Sequence, residues 1–183
     1  MINSTERSDI LVFNCYLCHV RYLLTCYVYS TKIGEFSDKS KCFENFVSQA
    51  LGVLTRIYAA ELRNKKIKKR IAQSFGLQVV PFESWLTIIT VTRNSCCHHA
   101  RVWNRVFSIR ATMPIRMSRP WITLPTDPLK VYFDMCIIKY FLDIISPNND
   151  MLDKMNRLFA TFPEVDMAAL GFPSGWENEP LWQ

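Results

Sequence analysis

Apolar positions recur along this chain at three- and four-residue steps, and strand-like alternation is scarce, so the pattern predicts helices. Over residues 43–62, Phe46, Val47, Ala50, Leu51, Leu54, Ile57 and Tyr58 form one stripe, with Gly52 marking close helix–helix approach. A second helix is expected after Gly76 and Pro81, starting near Glu83 or Ser84 and ending around Phe107 to Ile109. At about 100° per residue, Trp85, Ile89, Cys96, Ala100, Trp103 and Phe107 share its core-facing stripe. Asn94, His98, Arg101 and Arg105 then line up on roughly the opposite side. Pro114, Pro120, Pro125 and Pro128 predict an extended connection over residues 112–128.

Asp127-Pro128 reads as the N-cap and first position of the next helix. Leu129, Phe133, Cys136, Ile137, Tyr140, Phe141 and Ile144 give that helix a wide apolar face, stopped by Pro147. A further helix is expected over residues 150–160, with Met151, Leu152, Met155, Leu158 and Phe159 inward. A short helical turn over 166–170 closes at Gly171. The Pro- and Trp-rich end, 173–182, is expected to pack back through Trp176 and Trp182. These elements make one all-α domain over 43–183, preceded by an atypical segment, 1–42.

Composition supports a folded helical chain: 183 residues with 49% hydrophobic content and only five glycines. The formal charge of +6 favours anionic partners, nucleic acid first. Seven cysteines, an odd number, point to reduced thiols in a cytoplasmic protein. Residues 10–29 are apolar and aromatic, but Asn14, His19 and Arg21 interrupt them, so a buried element is expected there rather than a membrane span. Cys15-Tyr-Leu-Cys18-His19 matches the haem-attachment pattern, without an evident export route or axial partner. Cys26 and Cys42 supply no second ligand pair at zinc spacing, so no metal and no cofactor is expected.

Candidate chemistry concentrates in two places. The run 63–70 holds Lys65, Lys66, Lys68 and Lys69, either a solvated helix face or a phosphate-contacting patch. The stretch 93–105 holds Arg93, Asn94, His98, His99, Arg101, Trp103, Asn104 and Arg105. Histidine titrates near neutral pH and serves as acid or base. Arginine stays charged and takes phosphate oxygens in a fork. His99 falls nearer the apolar stripe and Trp103 on it, so both are assigned structural or orienting roles.

The segment Ser84-Trp-Leu…Arg93-Asn-x-x-x-His98-His99-x-Arg101-x-Trp103-Asn104-Arg105 resembles the signature of the Abi (abortive infection) family of bacterial phage resistance. Leu51-Gly-Val-Leu-Thr-Arg-Ile-Tyr58, Ile71-Ala-x-x-Phe75-Gly76, Pro120-Trp121 and Gly171-Phe-Pro-x-x-Trp176-x-x-Glu179-Pro-Leu-Trp182 agree, over about 44–183. Family members usually carry a longer N-terminal region, so the chain resembles a C-terminal part. The Arg-x4-His spacing, with a polar residue after the arginine, is similar to the motif of the HEPN superfamily. That resemblance implies a HEPN-like helical bundle and a metal-independent endoribonuclease that acts as a homodimer. It also implies catalytic roles for Arg93 and His98, supported by Asn94. Geometry suggests RNA-binding roles for Arg101, Asn104 and Arg105.

Positions five apart lie about 140° around a helix, so Arg93 and His98 do not share one face. Two chains pairing their motif helices would supply a composite site. The expected partners are RNA, a second copy, and a neutralising protein or RNA. The alternative is a non-catalytic RNA-binding or protein-interaction module of the same fold, a truncated relative. A membrane-associated protein anchored by residues 10–29 is the third alternative.

Overall fold

The computed structural model describes residues 65–97, 102 and 104–183. Regular structure among them is helical and includes no strand: α1 (Lys65–Ser74), α2 (Val79–Cys97), α3 (Val131–Ile145), α4 (Met151–Thr161) and a 3-10 turn, Trp176–Asn178. The fold is all-α. Segment 1–42, its Cys15–Cys18–His19 match, the apolar stretch 10–29 and the helix expected over 43–62 lie outside the described residues.

α3 is the central element. Val131 through Ile138 and Tyr140 through Leu142 are all buried, as expected of a helix that is apolar nearly all round. α2 packs against both α3 and α1. Phe75, Phe82 and Phe141 meet with ring centroids 4.9–5.6 Å apart. Trp85 stacks on Trp121 at 5.0 Å and meets Tyr140 edge-on at 5.2 Å. Each such side chain gains about 1.5–3 kcal/mol on burial, so this aromatic cluster fixes where α2 lies.

The helix ends differ from the expected ones for local reasons. α1 closes with Gly76 at φ 69°. Leu77 N–H donates to Ala72 O at 3.0 Å and Gly76 N–H to Gln73 O at 2.9 Å, the bonding of a Schellman cap. Pro81 does not precede α2 but lies in its first turn, where a missing N–H costs nothing because no intrahelical acceptor exists there. α3 begins at Val131, three residues after Pro128. The Asp127 carboxylate instead accepts from Leu129 N–H at 2.9 Å, closing a turn ahead of the helix.

The larger correction concerns the far end of α2. Its helical bounds stop at Cys97, and Asn104 has φ 51°, a left-handed conformation that reverses the chain. Residues 104–109 are therefore not helical. Phe107 is still buried, but through a connection that folds back, its N–H donating to Leu129 O at 2.8 Å. A buried aromatic at helical spacing had mimicked another turn of helix.

Residues 104–130 carry no helix or strand, as the four prolines predict. The connection runs back along α2. Arg105 Nη1 donates to Ser95 Oγ at 3.2 Å, Thr112 N–H to Ser84 Oγ at 2.8 Å, and Ser118 Oγ to Gly76 O at 2.9 Å. Trp85 Nε1 donates to Thr112 O at 3.1 Å, pinning the middle.

The C-terminal residues pack back as expected. Trp176 and Trp182 are buried against Tyr132, and Trp182 Nε1 donates to the Tyr132 hydroxyl at 3.2 Å. The turn before them is capped by the Asp166 carboxylate, which accepts from the N–H groups of Ala168 and Ala169 at 2.9 and 3.2 Å. Gly171 ends it at φ 91°. The buried Glu179 carboxylate then accepts from the N–H groups of Thr123 and Leu124 and from the Thr123 hydroxyl, tying the tail to the connection.

Glu179→Ala would strand two backbone donors at a cost of about 1–3 kcal/mol each. Its urea midpoint should fall well below wild type. An unchanged midpoint would show that the clamp is not needed for stability.

Candidate functional site

The site is built where α2 turns from a packed helix into its polar end. Thr90 and Thr87 donate their hydroxyls back to Leu86 O and Glu83 O within α2. Thr92 differs: it is buried and donates to Asp134 Oδ2 on α3 at 2.6 Å. Ser95, also buried, accepts from Arg105. These two contacts hold the α2 segment that carries Arg93 and Asn94.

Arg93 and Asn94 are half-buried, and Arg93 Nη1 donates to Asn94 Oδ1 at 2.9 Å. The buried Arg93 Nε has no hydrogen-bond partner among the described residues. No described carboxylate forms an ion pair with this guanidinium; the ion pairs between described residues are Lys68–Glu83, Lys139–Asp143 and Lys154–Asp150. With Nη1 occupied by Asn94, the Nε–Nη2 edge remains, the edge that takes two oxygens of a phosphate or carboxylate in a fork.

The other expected site residues are distributed unevenly. His98, His99, Arg101 and Trp103 lie outside the described residues. Asn104 and Arg105 are exposed, and Arg105 does not sit on the helical stripe expected for it, because residues 104–109 are not helical. Arg105 returns to α2 through Ser95, its guanidinium 5.2 Å from the centre of the Phe107 ring. Contact with the motif helix is thus kept by a fold-back instead of by helical spacing. Lys65, Lys66 and Lys69 lie on α1, where Lys65, Lys66 and Lys69 are exposed, and Lys68 pairs with Glu83 of α2 at 3.0 Å.

Sequence reasoning missed Asp134. Its signal was a lone carboxylate within the otherwise apolar run Val131–Ile138. Burial pushes its pKa from 3.8 up to about 7, against the lowering effect of the Thr92 hydrogen bond. Burial likewise raises the Tyr132 phenol and the Cys136 thiol of the same helix, keeping both neutral at ordinary pH. Among the described residues no single helix is long and apolar enough to cross a membrane.

The Asp134 shift has a definite sign. Between 3.8 and about 7 the folded state holds a proton that the unfolded state has released. Stability from this group therefore falls as pH rises through that window and stays low above it. Asp134→Asn keeps an acceptor for Thr92 and removes the proton. The unfolding free energy of wild type minus that of Asp134→Asn should decline from about pH 4 to about pH 7. A difference independent of pH would rule out a neutral Asp134.

No curated protein and no solved structure is significantly similar to the chain. A family model, described as Abi-like protein, matches residues 31–104. The matched span starts earlier than the motifs that suggested the likeness and leaves out the buried tail around Trp176 and Trp182. It takes in α1, α2 and residues Arg93–Asn104, and over that span the chain is similar to the Abi-like protein family.

Proposed function

We propose that this chain is an abortive-infection protein that cleaves RNA without a metal, using Arg93 and His98 of two motif helices brought together in a homodimer. The likeness to the Abi-like protein family over residues 31–104 supports the phage-defence role. The observation that carries the chemistry is the state of Arg93. It is half-buried and oriented by Asn94, and among the described residues its buried Nε has no partner and its charge no paired carboxylate. A desolvated donor without a partner costs about 1–3 kcal/mol, and a phosphate group would offset that cost.

The reaction needs three things. A base takes the proton of the ribose 2′-OH as that oxygen attacks phosphorus. A donor stabilises the charge on the five-coordinate phosphorane. An acid returns a proton to the departing 5′-oxygen. The products are a 2′,3′-cyclic phosphate and a 5′-hydroxyl. Arg93 supplies the charge stabilisation. One imidazole cannot be base and acid in the same step, so His98 of each chain takes one role. Asn94 positions the Arg93 fork.

A non-catalytic RNA-binding module uses the same guanidinium without proton transfer, and the first test separates the two. The purified full chain should cleave cellular RNA in the presence of EDTA, whereas His98→Ala and Arg93→Ala should each be slower by at least about 100-fold. Folded wild type that binds RNA but leaves it intact would replace the enzyme with the binding module. On dilution, activity per chain should fall together with the dimer fraction. A fully active monomer would remove the composite site.

A further inference from the structure

Between Glu83 and Asp127 the chain carries six arginines, no lysine and no acidic residue. This segment accounts for the entire formal charge of +6, since the other 16 of the 22 Lys and Arg balance the 16 Asp and Glu. Four of the six, Arg105, Arg110, Arg116 and Arg119, lie on the connection that follows α2, and all four are exposed. None forms an ion pair with a described carboxylate.

The path of the connection turns this composition into a surface. Contacts of Arg105 with Ser95, Thr112 with Ser84, and Ser118 with Gly76 lay the connection back along α2. Ser95 and Ser84 are 11 positions apart on that helix, about 16 Å at 1.5 Å per residue. The arginines are therefore spread along the length of α2, beginning beside the residue that follows Asn94 and ending at the cap of α1. Between them stand exposed Val106, Ile109, Met113 and Ile115, the last 91% exposed. A chain that leaves such side chains exposed while holding its backbone by Phe107, Ala111 and Trp121 presents a fixed strip that no described residue covers.

We infer that the arginine-bearing strip 105–119 is the track on which single-stranded RNA lies as it enters the Arg93 site. Recurring guanidinium groups fit a repeating phosphate backbone, and the interleaved apolar side chains offer contact to unpaired bases. Its continuity with Arg93 through Ser95 favours a nucleic acid over an acidic protein or a lipid surface. RNA as the occupant rests on the function proposed above; the charge and course of the strip do not.

The test is binding, not cleavage, so that a failed nuclease does not decide it. A fluorescent 2′-O-methyl oligouridylate, which lacks the attacking hydroxyl and cannot be cut, is titrated with the full chain over a range of salt. Each phosphate contact on a single strand contributes a slope of about 0.7 in log affinity against log salt. Arg110→Gln/Arg116→Gln/Arg119→Gln should bind more weakly and lose about two units of that slope. Arg157→Gln, an exposed charge on α4, should retain it. Matching unfolding curves show that the triple variant is folded. Wild-type affinity and slope in the folded triple variant overturn the track. So does wild-type chain that ignores the oligonucleotide but binds phosphatidylcholine–phosphatidylserine vesicles, with binding lost in the triple variant.

Discussion

Burial of α3 on nearly every side is the constraint on which the rest of the described structure depends. A helix with Val131 through Ile138 out of water needs a neighbour in each direction. α2 covers it through Trp85 and the Thr92–Asp134 contact, the connection through Trp121, and the tail through Phe172, Trp176 and Trp182. Each of these packs an aromatic ring against Tyr132, Phe133 or Tyr140. The irregular segments are therefore part of the core. Their lack of helix or strand does not make them peripheral.

Polar groups inside this packing are handled in contrasting ways. Glu179 uses its oxygens to satisfy backbone donors of the connection, which lacks a helical or sheet ladder to do so. Asp134 has one hydroxyl partner and resolves its burial by holding a proton. Arg93 has neither a described carboxylate beside it nor a described partner for its buried Nε. On the function proposed above, that difference separates a structural polar group from an anion-binding one. The same α2 turn thus carries Thr92, which locks the helix to the core, and Arg93, which the lock holds in place.

Much of this was legible in the residues. The stripe of Trp85 and Ile89, the wide face of α3, the prolines of the connection and the returning tryptophans all reflect periodicity or local backbone preference, and those act over a few positions. The end of α2 was not legible in this way. Phe107 falls on the helical stripe by count, yet it reaches the core by a different route. Only the left-handed Asn104 and the hydrogen bond to Leu129 distinguish the two. Asp134 was similarly hidden, because a carboxylate in an apolar run has no local signature of its partner 42 positions away.

By itself, the sequence determined the helical class, the family likeness and the arginine and histidine types that permit chemistry on a phosphate, since composition, periodicity and motif spacing are properties of neighbours along the chain. The tertiary structure alone decided which cations remain unpaired and where they are carried. The fold takes Lys68 to Glu83 but leaves Arg93 without a described counter-ion, and it lays the later arginines back along α2. Charge pairing depends on distance in space, which the linear order of residues does not contain.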